Sequence, residues 1–476
     1  MALGIFSVSL WQPWLERDPK QVALNHAEQT LTWQALDSQV AHYAKALREQ
    51  GVRSGEVVTL VGKNHLHTVL WFLACTQVGA LCAFVAPQPL ARLQEKLATL
   101  YAEQSPKHLW LAPSCALSEE EITALNAHCL SLPDERDESV GGEKVSSQFS
   151  CEQLATLIFT SGSTGTPKAV AHTHQQHLVS ARGLLNKFVF TESDSWLLSL
   201  PLYHISGVAI LYRWLAVGAT LKIGTGDLQN DIAGVTHASL VPTQLKRLLD
   251  GRSRLTLKRV LLGGSHIPVE LAQMAATRGI DTWLGYGMTE AASTVTAKRV
   301  DGLAGNGELL DHRELRLVDG RIFIAGKTLA QGYYRQGQLV PLTNEQGWFD
   351  SKDLGRWQGN NLLIDGRADN LFISGGENVH CEEIEAVLNQ HPHVQVAIVI
   401  PVQDSEFGAR PVAVIRSEAE WCQAIGDTWC QAKLEKFKWP IMYFLLPDAL
   451  LDGGIKVSRA AVKAWLAANQ TQFTPL

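Results

Sequence analysis

The chain has 476 residues, of which 46% are apolar and only 18% are charged, and its formal net charge is −6. This composition supports large buried cores and excludes a disordered chain, and the acidic balance lacks the basic excess of nucleic-acid-binding proteins. The length corresponds to roughly three domain-sized units, or to two if one of them is large.

The first 130 residues alternate between helix and strand patterns. Residues 36–50 have helical spacing, residues 56–62 form a β-rich run, and residues 69–87 lack any charge. Polar and glycine residues in the middle of 69–87 favour a buried helix to about Val78, a glycine turn and a core strand at Leu81–Val85 over a membrane span. This alternation predicts a wound α/β structure with a largely parallel sheet.

The sequence pattern changes twice in the rest of the chain. A polar connector at 131–150 is followed by further strands, predicted at Leu157–Thr160, Ala238–Val241 and Val260–Leu262. Gly and turn residues become frequent between Arg299 and Ile364, which indicates a small β-rich subdomain. After Gly366, an amphipathic helix at Asn378–Leu388 and a strand at Val394–Ile400 predict a separate small α+β domain.

The eight cysteines include no CxxC pair and mostly lie in apolar stretches. Buried, reduced thiols are therefore favoured over a disulfide framework or a zinc site, which predicts a cytoplasmic protein. The N-terminus lacks a basic region before its short apolar run, so no signal peptide is predicted.

The strongest chemical signal is Thr160–Lys168, TSGSTGTPK. Its hydroxyls and open backbone N–H groups suit phosphate oxygens, and Lys168 adds a positive charge. The glycine spacing and the strand-like flanks exclude a Walker A loop, which runs directly into a helix. A surface hairpin without function is the alternative, although it does not explain so many hydroxyls beside a lysine.

This loop resembles the signature of the adenylate-forming enzymes, which include acyl-CoA ligases, adenylation domains of peptide synthetases and luciferases. Further motifs of that superfamily follow in order, and the resemblance covers essentially the whole chain. They are GYGMTE at 285–290, WFDSKD at 348–353, GRAD at 366–369, SGGEN at 374–378 and GGIKVSR at 453–459. Two positions depart from the pattern, because Lys352 and Ile455 stand where glycine is common.

The resemblance implies ATP, Mg²⁺ and coenzyme A as cofactors or co-substrates, and it implies a role for each motif. Glu290 would bind Mg²⁺, Thr289 would contact the α-phosphate, and Lys456 would bridge carboxylate and phosphate oxygens during adenylation. The other expected nucleotide and coenzyme contacts are Thr160, Ser161, Gly162, Ser163, Thr164, Gly165 and Lys168 for the phosphates, Gly263, Gly264, Ser265, Gly285 and Tyr286 for the adenine and acyl slots, Asp353 and Arg367 for the ribose, and Gly375 and Gly376 for the pantetheine tunnel.

The resemblance also implies a moving domain, because one lysine cannot remain in the site while coenzyme A enters. It divides the chain into an AMP-binding domain at 1–366, a hinge at 367–370 that contains Asp369, and a mobile domain at 371–476. The expected fold class is α/β: a large N-terminal domain of wound α/β subdomains plus a β-rich subdomain, followed by the small mobile α+β domain.

The surroundings of Arg213 give information about the carboxylic acid that the chain would activate. It lies in an apolar stretch with no Asp or Glu between Ser195 and Gly226. A buried, unpaired guanidinium is costly, so its partner is a substrate carboxylate or a distant acid, unless the side chain reaches the surface.

The surrounding strings, LLSLPLYHISG, RWLAVGA, THASLVPTQL and LLGGSHIPVEL, resemble the o-succinylbenzoate–CoA ligases of bacterial menaquinone synthesis. Their substrate is a dicarboxylate, whose ring carboxylate Arg213 would anchor, with His204 at the entrance or floor of the acyl pocket. Other aryl or medium-chain acyl-CoA ligases, a carrier-loading adenylation domain and a luciferase-like enzyme stay open as alternatives. No nucleic-acid partner or stable membrane insertion is expected, and the oligomeric state is left open.

Several histidines and one cysteine fit structural roles better than catalytic or metal-binding ones. His172 and His174 would share one strand face with His177 at a helix start, and no nearby acid completes a zinc site. His65 and His67 fit surface or cap positions. Cys381 has Glu382 and Glu383 beside it, and their charges would raise the pKa of its thiol, so it is not a nucleophile.

Overall fold

The computed structural model describes residues 9–27, 29–134, 149–160, 167–251, 255–263, 267–374, 377–431, 433–451 and 457–469. Its α-helices are α1 Gln12–Arg17, α2 Trp33–Glu49, α3 Leu66–Val78, α4 Leu90–Leu100, α5 Glu119–Ala124, α6 His174–Leu185, α7 Ile205–Val217, α8 Leu228–Asp231, α9 Pro242–Asp250, α10 Val269–Thr277, α11 Cys381–Leu388, α12 Gln423–Gln431 and α13 Arg459–Asn469.

The strands through the middle of the chain are β1 Val22–His26, β2 Gln29–Thr32, β3 Val57–Val61, β4 Leu81–Val85, β5 His108–Leu111, β6 His128–Cys129, β7 Leu154–Thr160, β8 Lys168–Thr173, β9 Ser195–Leu197, β10 Thr220–Ile223, β11 His237–Leu240, β12 Arg259–Leu262 and β13 Asp281–Met288. The later strands are β14 Ser293–Arg299, β15 Glu308–Leu309, β16 Arg313–Val318, β17 Arg321–Gly326, β18 Gly332–Arg335, β19 Gln338–Val340, β20 Phe349–Gln358, β21 Asn361–Arg367, β22 Leu371–Ser374, β23 Glu377–His380, β24 Val394–Asp404, β25 Gly408–Ser417 and β26 Tyr443–Leu445.

The described strands form four sheets. One large sheet has the order β15-β14-β13-β12-β11-β9-β10-β1-β2, and its members from β13 to β1 are parallel. The second has the order β19-β18-β8-β7-β4-β3-β5-β6, with a parallel half from β7 to β6. Two smaller sheets follow, β16-β17-β20-β21 and then β23-β22-β25-β24 with β26 beside β25.

Helices lie between the two large sheets and cover their outer faces. Strand β3 shows the layering, because its alternate residues point to opposite sides. Val58 and Leu60 join a central core that includes α2, α3 and α7, where Trp33 stacks on Trp214 with ring centroids 5.5 Å apart. Val57 and Val61 belong to a separate outer core with residues of α4. Burial on both faces explains why these strands read as continuous apolar runs.

The segment 69–87 folds as predicted from its composition. Helix α3 ends at Val78, Gly79 adopts a left-handed conformation with φ of 81°, and β4 runs over Leu81–Val85. All five residues of β4 are buried. Gly79 is needed there because residues with a Cβ atom rarely adopt this conformation. No helix among the described residues combines the length and apolar character needed to cross a bilayer.

The prediction for residues 378–388 is partly wrong. The helix begins at Cys381, and the preceding residues form β23, which pairs antiparallel with β22. Val379 is fully buried on this hairpin. An apolar residue at this position fits the spacing of a helix as well as that of a strand. The segment is a strand because it pairs with β22, and local spacing does not reveal that partner.

The β-rich region before Ile364 is confirmed by the sheet β16-β17-β20-β21. The predicted strand at Val394–Ile400 is also present, and it extends to Asp404. The domain division at 367–370 stays a prediction. In the structure those residues comprise the end of β21 and a short 3₁₀ turn, Ala368–Asn370, that leads into β22.

Candidate active site

The hydroxyl-rich loop connects two antiparallel strands. Thr160 is the last residue of β7, Lys168 is the first residue of β8, and these two residues pair across the hairpin. The predicted absence of a helix directly after the loop is therefore confirmed. Ser161, Gly162, Ser163, Thr164 and Gly165 lie outside the described residues, so their phosphate contacts stay predictions.

Lys168 and Glu290 are brought close together by a tyrosine that the sequence analysis missed. The ammonium nitrogen of Lys168 lies 5.2 Å from the ring centroid of Tyr333, and the Tyr333 hydroxyl donates a hydrogen bond of 3.2 Å to Glu290 Oε1. Tyr333 lies on β18, which pairs with β8. Because the pairing partner of β8 is distant in sequence, no local signal marks Tyr333.

The GYGMTE motif forms the end of β13 and a short 3₁₀ turn at Thr289–Ala291. Gly287 allows β13 and β14 to approach closely, since a Cβ atom there would lie 1.9 Å from the Ser293 carbonyl oxygen. Thr289 and Glu290 follow this close approach directly, and burial raises the pKa of the Glu290 carboxyl. The side chain of Glu290 is thus partly withdrawn from water, with the Tyr333 hydroxyl as a hydrogen-bond donor.

Gly263 and Gly285 are neighbours at one edge of the large sheet. Leu262, the last residue of β12, pairs with Leu284 of the parallel strand β13, so Gly263 follows the carboxyl end of β12 while Gly285 lies beside it within β13. Nothing lies within 4 Å of a Cβ atom placed on Gly263. Ligands of wound α/β sheets bind at such carboxyl edges. Gly264 and Ser265 lie outside the described residues.

Asp353 is held by two predicted site residues. Its Oδ2 atom accepts a 2.5 Å hydrogen bond from the Tyr286 hydroxyl, and its Oδ1 atom lies 3.2 Å from Arg367 Nη1. Arg367 also contacts Asp369, at 2.9 Å from Nε to Oδ1 and 3.3 Å from Nη2 to Oδ2. Burial raises the pKa of the Asp353 carboxyl. The arrangement fixes a carboxylate whose remaining lone pairs can accept hydroxyl protons.

Lys352 keeps the backbone shape of the glycine that it replaces. Its φ is 61°, in the left-handed region that favours glycine. Its amide donates to Asp350 Oδ1 at 3.0 Å. The departure from the family motif therefore leaves the left-handed backbone conformation before Asp353 in place within β20, at the expense of local backbone strain.

Arg213 lies on α7 with 3% of its surface exposed. Its Nη2 atom makes one long hydrogen bond of 3.5 Å to Thr294 Oγ1, its guanidinium lies 5.2 Å from the Trp196 ring, and its Nε atom has no partner. No carboxylate among the described residues forms an ion pair with it. Of the explanations above, a surface-reaching side chain is excluded.

A second buried arginine, Arg313, provides a contrast that the sequence did not reveal. Its guanidinium donates to the carbonyls of Thr294, Asp311 and Ser180 at 3.1, 2.7 and 3.0 Å, and to the Ser180 hydroxyl at 2.9 Å. Burial and the charge of Arg313 lower the pKa of Arg213 to about 9. Arg313 is therefore satisfied by the protein, whereas Arg213 retains unused donors beside a second positive charge.

Arg213 contacts β14, the strand that pairs with the GYGMTE strand. Its partner Thr294 pairs with Gly287, and a Cβ atom on Gly285 would lie 2.9 Å from Thr294 Cγ2. His204 is not brought to this point. It is the exposed N-cap of α7, about two and a half helical turns from Arg213.

The histidines at 172–177 form a buried cluster, although not in the predicted arrangement. His172 is on β8, but His174 is the first residue of α6, so the two do not share a strand face. His177 Nε2 bonds to Thr156 Oγ1 at 2.7 Å and His174 Nδ1 bonds to the Tyr212 hydroxyl at 2.8 Å. No metal-binding group of three ligands is found in the described part of the chain. The prediction for His65 is confirmed, since it is the N-cap of α3.

Cys381 is buried, and burial, with Glu382 and Glu385 adding to it, raises the pKa of its thiol to about 12. The predicted direction is confirmed, but desolvation is the larger cause. Lys456, Gly375 and Gly376 lie outside the described residues, and their roles stay predictions.

Residues 11–334 match the family described as AMP-binding enzyme. The 2-succinylbenzoate–CoA ligase of Salmonella typhimurium is 43% identical over 468 residues, which cover 96% of this chain and 98% of that protein. The chain belongs to the AMP-binding enzymes and, within them, to the 2-succinylbenzoate–CoA ligases.

Solved structures agree with this membership. A variant of MenE from Escherichia coli with bound OSB-AMS matches with a TM-score of 0.85 and 40% identity, covering 97% of this chain and 99% of that one. The o-succinylbenzoate coenzyme A synthetase of Bacillus subtilis, in complex with ATP and magnesium ion, matches with a TM-score of 0.82 and 26% identity, covering 96% and 99%. These matches and the observed sheets confirm the predicted α/β fold class.

Proposed function

We propose that this chain is an ATP-dependent, AMP-forming ligase that joins 2-succinylbenzoate to coenzyme A in menaquinone biosynthesis. The observation that carries the choice of acid is Arg213, which is buried against β14, the partner of the GYGMTE strand, with unused donors and no carboxylate partner among the described residues. A dicarboxylic acid supplies that partner, while its second carboxylate remains available for reaction.

The reaction has two steps. A carboxylate oxygen attacks the α-phosphate of ATP, the bond to the β-phosphate breaks, and pyrophosphate leaves with the electron pair. The thiolate of coenzyme A then attacks the carbonyl carbon of the acyl-adenylate and AMP leaves, so that a thioester forms. The first step brings two anions together, and positive charge in the site is needed to stabilise its transition state.

The described geometry suits that first step. Lys168 and the turn at Thr289–Glu290 are connected through Tyr333, and we assign both to the triphosphate. Glu290 would hold Mg²⁺, because one or two carboxylates together with substrate phosphates are a common magnesium arrangement. Bound Mg²⁺ supplies further positive charge to the phosphates.

The remaining assignments follow the same site. Asp353, fixed by Tyr286 and Arg367, would accept the ribose hydroxyls, and Lys456 would bridge the reacting oxygens. The hinge at 367–370 would then turn the domain at 371–476 so that the pantetheine arm can enter past Gly375 and Gly376. The eight cysteines are all free, which supports a location in the reducing cytoplasm.

A panel of acids tests the substrate. Pyrophosphate release is measured with 2-succinylbenzoate, benzoate, 4-coumarate and hexanoate at the same ATP concentration. We expect 2-succinylbenzoate to give the highest kcat/KM, because it alone places one carboxylate at Arg213 and another at the α-phosphate. A clear preference for benzoate or hexanoate would show that the dicarboxylate assignment is wrong.

Variants of the two buried arginines sharpen this test. Arg213→Ala should weaken the use of 2-succinylbenzoate by about 2–5 kcal/mol, the range for removing one partner of a buried charge pair, while ATP binding stays unchanged. Arg313→Lys is the matched control, because Arg313 bonds to main-chain oxygens and its loss should affect every acid alike. An equal loss for benzoate in Arg213→Ala would contradict a carboxylate anchor.

A further inference from the structure

A group of charged side chains in the C-terminal part of the chain joins three elements. Arg459, the first residue of α13, contacts Glu382 Oε1 at 3.1 Å through Nη1 and Glu385 Oε1 at 2.5 Å through Nη2. Asn370, in the 3₁₀ turn after β21, donates a 2.5 Å hydrogen bond to the same Glu382 oxygen. We call Asn370, Glu382, Glu385 and Arg459 the hinge network.

The hinge network is largely withdrawn from solvent. The side chains of Glu385 and Arg459 are 12% and 24% exposed, and Glu385 also accepts the amide of Val399 at 2.7 Å. Arg459 Nε and Glu382 Oε2 are buried without partners. Such pairs are sensitive to the loss of one member, because the charge left behind is poorly solvated.

The position of the hinge network relative to the nucleotide residues gives it a role. Gly366, next to Arg367, packs so closely that a Cβ atom there would lie 2.9 Å from Glu382 Oε2. At the other end, Arg459 follows Lys456 after Val457 and Ser458 in the sequence. The network therefore connects the chain just after Arg367, a proposed ribose contact, with the start of α13, which follows Lys456 in the sequence.

We propose that the hinge network is a positioning element for adenylation, which fixes the start of α13 against the turn at 368–370 while Lys456 acts. This inference rests on the function proposed above. None of its four residues is among those assigned to the nucleotide or to the acid, and they would act through the chain that leads to Lys456. The network should therefore matter for the first half-reaction more than for the second.

The helix α11 offers a matched control. Glu383, next to Glu382, pairs with Lys438 at 2.6 Å within the same part of the chain and does not contact the turn at 368–370. Glu382→Gln, Glu385→Gln and Arg459→Lys are compared with Glu383→Gln. Adenylation is measured by ATP–pyrophosphate exchange and thiolysis by single turnover of supplied acyl-adenylate, both with the acid that wild type prefers in the panel.

We expect the three network variants to lose about ten- to a hundredfold in the kcat of adenylation, with little change in the KM for ATP, and to retain thiolysis. Glu383→Gln should retain both half-reactions. Equal losses in both half-reactions, accompanied by a lower unfolding temperature, would overturn the proposal, and so would unchanged adenylation. Because the preferred acid is used, a failure of the 2-succinylbenzoate assignment gives a different result from a failure of this inference.

The pH dependence of adenylation provides a readout that general destabilisation would not move. Burial raises the pKa of Glu385 to about 7, although Arg459 on α13 opposes the rise; Glu382 and Cys381 on its own helix also interact with it, and β24 contributes the Val399 amide. Protonation below that pKa weakens the pair with Arg459. Wild-type adenylation should therefore fall from about pH 8 to about pH 6 more steeply than adenylation by Glu385→Gln, which lacks this titrating carboxyl; an unchanged pH profile of adenylation in the variant would contradict the proposal.

Discussion

At the scale of single residues, Lys352 shows how a sequence can depart from a motif while the fold keeps the required backbone. The left-handed φ of 61° precedes Asp353 and helps to aim that carboxylate at Tyr286 and Arg367. An unbranched side chain tolerates this conformation better than a β-branched one.

Substitutions at this position test the strain directly. Lys352→Gly should change the free energy of unfolding by less than about 1 kcal/mol, because relief of strain offsets the greater freedom of glycine in the unfolded chain. Lys352→Val should lower it by about 1–3 kcal/mol. Gln358→Val, at an exposed position later on β20, is the control, and urea denaturation measures all three. Equal effects at both valine positions would contradict strain at Lys352.

At the scale of elements, the pair β13–β14 connects the GYGMTE motif with Arg213. Gly285 and Gly287 let the two strands approach, and Thr294 on the far strand contacts Arg213. The same pairing therefore sets the position of the Thr289–Glu290 turn and of the proposed carboxylate anchor.

Gly287→Ala tests the importance of this close approach. The added Cβ atom would lie 1.9 Å from the Ser293 carbonyl oxygen, so the strands must separate, which should lower the free energy of unfolding by about 1–3 kcal/mol. Gly263→Ala is the control for stability, because no atom lies within 4 Å of its Cβ position. Urea denaturation compares the two variants. If the unfolding midpoint of Gly287→Ala is as high as that of the control, the strands can separate without loss of stability and the prediction is wrong.

At the scale of the whole molecule, measuring the two half-reactions separately tests the role proposed for Lys456. Lys456→Ala should lower adenylation by about 10²–10³-fold, the usual loss for one charged group at a developing anion, and should largely retain thiolysis of supplied acyl-adenylate. Lys463→Ala, an exposed lysine on α13, serves as the control. Equal losses of both half-reactions in Lys456→Ala would contradict the swinging domain.

Much of the fold could be predicted because its signals are local. The helix, glycine turn and strand across 66–85 follow from apolar runs and from one residue able to adopt a positive φ. The strand at 377–380 was missed because its partner β22, rather than its own periodicity, determines its structure.

Residue types and their spacing along the chain are enough to identify the family, the order of the motifs and an arginine within an apolar stretch. The contacts of Tyr333 with both Lys168 and Glu290, and the difference between Arg313, which is satisfied by carbonyls, and Arg213, which is not, appear only in the folded chain. The physical reason is that hydrogen bonds and desolvation depend on groups that meet across distant strands and helices, and local spacing does not encode those partners.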